Sequence, residues 1–135
     1  MVSGQQSVGQ RLFGGKRITV MGLGRLGRGV GDVRFLAESE AELIVTDLGK
    51  PEELRSSLEK IKKFSKIKLV LGEHRLEDFR DRDLIIKGAS VPFDSVYIRE
   101  ARTRRIPVMM STALFAKQAA AMGVMIIGVT GTRGK

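Results

Sequence analysis

The chain has 135 residues, of which 42% are apolar and 29% charged, enough for one domain with its own core. It contains no run of about 18 apolar residues that would cross a membrane as a helix, and its lack of cysteine excludes disulfides and thiolate metal sites. The net charge of +9 invites a nucleic-acid reading, but the basic residues are scattered and aromatics make up only 5%; an anionic small ligand matches better, and no nucleic-acid partner is expected.

Residues 1–15 are polar and rich in Gly and Gln, and read as a loose leader without the apolar stretch of a signal peptide. The apolar run 16–21 predicts a first strand. A turn, Gly22-Leu23-Gly24-Arg25-Leu26-Gly27, follows it, and 25–38 carries Leu26, Val30, Val33 and Leu36 at helical spacing. Residues 43–46 predict a second strand with Asp47 at its carboxyl end. Pro51 starts a helix that runs to about residue 64, with Glu52 and Glu53 in its first turn and Leu54, Leu58, Ile61 and Phe64 facing inward. A third strand is expected at 67–71, a connection at 72–81, a buried fourth strand at 84–86 and a turn at 88–92. A helix at 95–105, a fifth strand at 106–110 and a helix at 111–121 follow. Gly123 breaks the chain, and 124–129 predicts a sixth strand.

Strands alternating with helices imply βαβ units and a parallel sheet covered on both faces. The expected fold class is α/β, a Rossmann-like doubly wound parallel sheet of five main strands in the order 3-2-1-4-5, plus an orphan C-terminal strand. That last strand is expected to add to a sheet edge, to pair with another copy or to be poorly ordered, because an apolar edge strand recruits partners.

Two glycine motifs carry the chemistry. The first matches G-x-G-x-x-G between a strand and a helix, where glycines make a tight turn and let backbone approach a pyrophosphate. Asp47 lies 20 residues beyond Gly27 at a strand end; in dinucleotide enzymes such an acid meets a ribose hydroxyl. The plainer reading is a tight strand-to-helix turn with Asp47 capping a loop. The second motif is Gly128-Val129-Thr130-Gly131-Thr132-Arg133-Gly134-Lys135, which reads as the opening of a phosphate-binding loop. There Gly131, Thr132, Arg133, Gly134 and Lys135 would hold ATP phosphates. A complete loop also needs a Ser or Thr for Mg²⁺ and a following helix. The chain therefore reads as the front of a longer nucleotide-dependent enzyme, organised as a leader (1–15), a substrate domain (16–122) and the first strand and loop of an ATP-binding domain (123–135).

Two readings of the first turn compete. One is an NAD(P)-binding domain of an oxidoreductase or sensor, the other a domain that holds a uridine nucleotide. The second motif separates them, since a plain NAD domain has no reason to run into Thr-Gly-Thr-x-Gly-Lys. A third reading is a non-catalytic interaction module that kept the fold and lost the ligand.

Several segments together resemble the Mur ligase family. They are Ile18-Thr19-Val20-Met21-Gly22-Leu23-Gly24, Val45-Thr46-Asp47, Leu71-Gly72-Glu73-His74, Asp83-Leu84-Ile85-Ile86 leading to Val91-Pro92, Ile106-Pro107-Val108 with Leu114-Phe115, and the terminal Gly-rich loop. The resemblance is greatest to the branch that adds D-glutamate. It implies a cytoplasmic, ATP- and Mg²⁺-dependent ligase of peptidoglycan synthesis that joins D-glutamate to UDP-N-acetylmuramoyl-L-alanine through an acyl phosphate. The N-terminal domain would hold the UDP portion, and these residues alone would not ligate. Leu23, Gly24, Arg25, Leu26 and Gly27 would face the diphosphate, Asp47 and Leu48 the uracil, with Ser90 on the facing turn. The chain departs from the family pattern in three places. Ser90 replaces a turn glycine after Gly88-Ala89. Leu48-Gly49 replaces a polar and cationic pair, for which Lys50 is a candidate substitute. Ser111 and Ala113 replace acidic residues.

Other conspicuous residues have plainer roles. The lone His74 reads as turn-stabilising, methionines such as Met109, Met110, Met122 and Met125 as core filler, and Lys60, Lys62 and Lys63 as a solvated helix face. Arg104 and Arg105 suit the negative end of a helix. No membrane insertion is expected, and self-association through 124–129 is the one protein contact the sequence suggests.

Overall fold

The apolar runs become five strands in a computed structural model that describes residues 4–132. They are β1 (Arg17–Met21), β2 (Glu42–Asp47), β3 (Ile67–Leu71), β4 (Leu84–Lys87) and β5 (Val108–Met110). All neighbours pair in parallel, in the order β3-β2-β1-β4-β5. This is the expected doubly wound order, with β1 at the centre. Side chains alternate across the sheet: Ile18 and Val20 join one apolar cluster, and Met21 joins another on the opposite face.

Helices cover both faces. On the first, α1 (Val8–Phe13), α2 (Val30–Glu38) and α5 (Ser111–Ala121) pack Phe13, Val30, Val33, Leu36 and Leu114 against Leu43, Val45, Leu84 and Ile86. Behind the other face, α4 (Val96–Thr103) and a 3₁₀ turn (Leu76–Phe79) pack Ile98, Ala101 and Phe79 against Ile85 and Ile106. The 3₁₀ turn lies in what the sequence reads as a plain connection. Thr19, buried within β1, donates its hydroxyl to the Asp78 carbonyl at 2.6 Å and so anchors that turn to the sheet.

The structure corrects the sequence reading at several points. The leader is not loose over 8–13. Ser7 and Gln10 form a reciprocal capping box, and Phe13 is buried edge-on to Phe35 at 5.8 Å. The helix expected from 25 starts only at Val30, because Gly24 and Gly27 adopt φ of +81° and +71° and cannot belong to a helix. The helix expected over 51–64 is reduced to α3 (Arg55–Glu59) between tight turns. Its inward set still holds, with Leu54 and Ile61 buried and Leu58 and Phe64 packed on the core. The fifth strand is shorter at its start, at Val108 instead of residue 106.

The largest difference is at 124–129. A Schellman stop ends α5: Val124 N–H donates to the Ala119 carbonyl and Gly123 N–H to that of Ala120, with Gly123 at φ +72°. Beyond it, the run joins no sheet edge, and Met125, Ile127 and Val129 are 84%, 82% and 74% exposed. Met122 and Met125 are therefore surface residues, not core filler. Among the described residues no helix is long and apolar enough to cross a membrane.

Candidate functional site

Because every strand is parallel, all carboxyl ends share one edge of the sheet. Chains leaving β1 and β4 depart in opposite directions there, which opens a crevice at the switch point. A cleft of about 720 Å³ occupies it. Its floor and walls come from the glycine turn after β1, Asp47 and Leu48 at the end of β2, Lys87 to Pro92 at the end of β4 and beyond, and Ser111 and Thr112 after β5.

The glycine turn is shaped by backbone geometry that side chains oppose. Gly22, Gly24 and Gly27 all lie at positive φ, between +71° and +106°. Gly29 is needed for a different reason: a β-carbon there would sit 2.3 Å from the Gly22 carbonyl oxygen. These contacts bring the start of α2, with its positive dipole end, against the cleft.

Asp47 holds this turn in place. One carboxylate oxygen accepts the Leu23 and Gly24 amides at 2.8 and 2.9 Å, and the other accepts the Gly49 amide at 2.8 Å. Asp47 thus organises the loop from β2, closer to the plain reading than to a ribose contact. Ser57 of α3, fully buried, supports the turn from behind by donating to the Gly24 carbonyl at 2.7 Å.

The expected site residues divide. Leu23, Gly24, Arg25, Asp47, Leu48 and Ser90 line the cleft. Leu23 does so with its backbone, since its side chain is buried in the core. Leu26 is not part of the lining and is 85% exposed, and Gly27 faces Ser57 and Lys60 instead. Both positions turn away from the cleft because the turn coils back on itself, with Gly27 N–H donating to the Gly24 carbonyl at 3.1 Å. Arg25 is an ion-pair partner of Glu53, whose carboxyl is held below its ordinary value first by the Lys50 amide and then by Arg25. Lys50, the candidate substitute cation, does not line the cleft. Ser90 is not at positive φ, so the missing turn glycine carries no backbone strain. The close approach falls on Gly88, where a β-carbon would meet the Met21 carbonyl oxygen at 3.2 Å.

Of the terminal loop, Gly131 and Thr132 are exposed and apart from the cleft, while Arg133, Gly134 and Lys135 lie outside the described residues. Among the described residues no group of three His, Asp or Glu side chains could hold a metal ion.

Several lining residues escape the sequence reading. Arg28 lies in the turn just before α2 and pairs with no carboxylate among the described residues. Asp32, in the first turn of α2, accepts the Ser111 hydroxyl at 2.8 Å and so ties α2 to α5. Burial raises the Asp32 carboxyl, and the Ser111 hydrogen bond partly opposes this. His74 shares a 2.7 Å hydrogen bond with Thr46 and stacks edge-on to Tyr97 at 5.2 Å. Burial lowers its pKa, against the opposing pull of Asp47 and Asp78. The turn-stabilising role expected of His74 fits these contacts, and the residue also lines the cleft. Lys87 was detectable: it is a lone charge at the carboxyl end of an apolar strand.

Residues 16–110 match the family described as Mur ligase MurD-like, N-terminal domain. The chain belongs to this family. It is 42% identical over 121 residues to the UDP-N-acetylmuramoylalanine–D-glutamate ligase of Roseiflexus sp., covering 90% of this chain and 25% of the relative. The ligase of the same name from Treponema pallidum is 35% identical over 125 residues, covering 92% and 23%. The chain thus spans about a quarter of the length of these curated relatives. Among solved structures, the UDP-N-acetylmuramate-alanine ligase MurC of Thermotoga maritima aligns over 78% of this chain and 23% of its own, with a TM-score of 0.59 and 21% identity, a likeness of fold.

Proposed function

We infer that this MurD-like domain holds the uridine diphosphate end of UDP-N-acetylmuramoyl-L-alanine for a ligase that adds D-glutamate in peptidoglycan synthesis. The observation that carries the reading is a glycine turn, pinned open by Asp47, at the switch point of a sheet whose carboxyl edge forms a cleft. Its size falls within the range of small-molecule sites.

The chain's own groups suit a ligand with one anionic and one flat end. The start of α2 and the Arg28 guanidinium offer positive charge where a diphosphate would lie. Leu48, 65% exposed, and the His74–Tyr97 pair offer apolar and aromatic surface for a base. The alternative of an NAD(P) domain draws on Asp47 as a ribose ligand, and both Asp47 oxygens already accept backbone amides.

In this reading ATP would supply the phosphoryl group that turns the substrate carboxylate into an acyl phosphate, and Mg²⁺ would accompany it. Among the described residues no group of three or more His, Asp or Glu side chains could hold that ion. Ligation in this reading needs more than these residues, which span about a quarter of the length of the curated relative from Roseiflexus sp..

Calorimetric titration with UDP-N-acetylmuramoyl-L-alanine, UDP and NAD⁺ tests the reading. The expected result is binding of both uridine ligands and at least about tenfold weaker binding of NAD⁺. NAD⁺ bound as tightly as UDP, or more tightly, would overturn it.

A further inference from the structure

The best-buried charge in the cleft is Lys87. It ends β4, paired with Met21 of β1 on one side and Met110 of β5 on the other, and the residue is only 2% exposed. Its ammonium donates to the Gly88 carbonyl at 3.0 Å and the Val91 carbonyl at 2.7 Å, both in the turn that forms one cleft wall. The Phe93 ring lies 4.3 Å away, centroid to nitrogen. An ammonium has three protons to donate, and the third has no hydrogen-bond acceptor among the described residues. No carboxylate pairs with it there either.

Burying an ammonium without a counter-charge costs several kcal/mol. Two carbonyl dipoles and an aromatic face offset part of that. A leucine or valine would serve the strand better, as Leu84, Ile85 and Ile86 do in the same run. The position makes sense if negative charge arrives from the cleft, which Lys87 lines. By contrast Arg25, the cation expected from sequence, is exposed and already paired with Glu53.

We propose that Lys87 is the buried counter-charge for a phosphate group of the cleft's ligand, donating its unclaimed proton to the anion while its other two hold the 88–92 wall. This rests on the nucleotide reading above and extends it to a residue that reading does not use. The geometry also makes Lys87 a specificity element. It rewards a ligand that brings charge to the β4 side of the cleft and gives nothing to an uncharged nucleoside.

The test is calorimetry on the full chain and its Lys87→Met variant with three probes: UDP, uridine and inorganic pyrophosphate. For UDP and pyrophosphate, the variant is expected to bind at least about tenfold more weakly than wild type, with uridine unchanged. A variant with a native melt that binds UDP and pyrophosphate within about twofold of wild type overturns the proposal. If Lys87→Met does not fold, ¹⁵N spectra of the lysine ammonium groups in the wild-type chain decide. The Lys87 resonance should move with pyrophosphate and UDP and stay still with uridine; a resonance unmoved by all three overturns the proposal. Wild-type binding of pyrophosphate without UDP preference, lost in the variant, would overturn the uridine reading while supporting Lys87. No binding of UDP or pyrophosphate by wild type would overturn both.

Discussion

Two segments of this chain follow the same local pattern, an apolar run leading into a glycine-rich turn, and they end in opposite states. At 17–29, β1 is sandwiched between β2 and β4, its turn is held by Asp47 and Ser57, and Leu23 is buried. At 124–132, an equally apolar run pairs with no strand and leaves Met125 and Ile127 in solvent. The difference lies in the neighbours, not in the residues themselves. A strand satisfies its amides only through a ladder, and a glycine turn becomes a site only when surrounding groups fix one of its many conformations. A phosphate-loop pattern is therefore a statement about what must surround it.

The largest effect that would sharpen this contrast is in amide exchange. Amides of β1 should exchange at least about a thousandfold more slowly than those of 124–132. Protection of 124–129 that grows with protein concentration would break the contrast by showing that another copy supplies the missing ladder.

Substitutions then probe the ordered turn. Gly29→Ala drives a β-carbon into the Gly22 carbonyl and should cost about 3 kcal/mol, read as a lower denaturation midpoint. A change under about 0.5 kcal/mol would mean the turn is softer than its contacts imply. Asp47→Ala removes the acceptor of three amides and should cost about 2 kcal/mol while weakening UDP binding by more than tenfold. Retained affinity would show that the turn shapes itself without Asp47.

The smallest effect is a pH dependence. Burial depresses the His74 pKa, so the unfolded chain binds the proton more tightly than the folded one. The stability contributed by neutral His74 is complete above its ordinary value of 6.5 and is lost as pH falls from there through the depressed folded value. The melting temperature should thus decline modestly as pH falls below about 6.5, and His74→Gln should flatten that decline. An identical slope in the variant would assign the decline to other groups. Glu100 and Asp83, lowered chiefly by hydrogen bonds to Arg104 and to the Arg17 backbone, lose their contribution at more acid pH as they protonate.

The sheet was legible because its signals are strong and redundant. The runs at β1, β2 and β4 are apolar on both faces, and glycine or proline marks their boundaries. The first turn was legible as a motif, and its cleft lies where strand order requires. What escaped depends on three-dimensional partners. Nothing local says that Asp47 turns back to Leu23, that Gly27 faces α3, or that Arg25 meets Glu53. Arg28 enters the site through the coil of the turn before α2, which becomes visible only once the elements are placed. The helix at 8–13 was missed for a simpler reason: its Ser7–Gln10 capping box was readable, and the polar composition around it masked the signal.

The account stands or falls on the cleft at the carboxyl edge as a uridine nucleotide site. The most direct measurement is an amide shift map of the ¹⁵N-labelled chain during UDP titration. Saturable shifts are predicted at 22–29, 47–48, 74 and 87–92, with 124–130 unmoved. Absence of saturable shifts up to about 1 mM UDP, or saturable shifts confined to other parts of the chain, would contradict it.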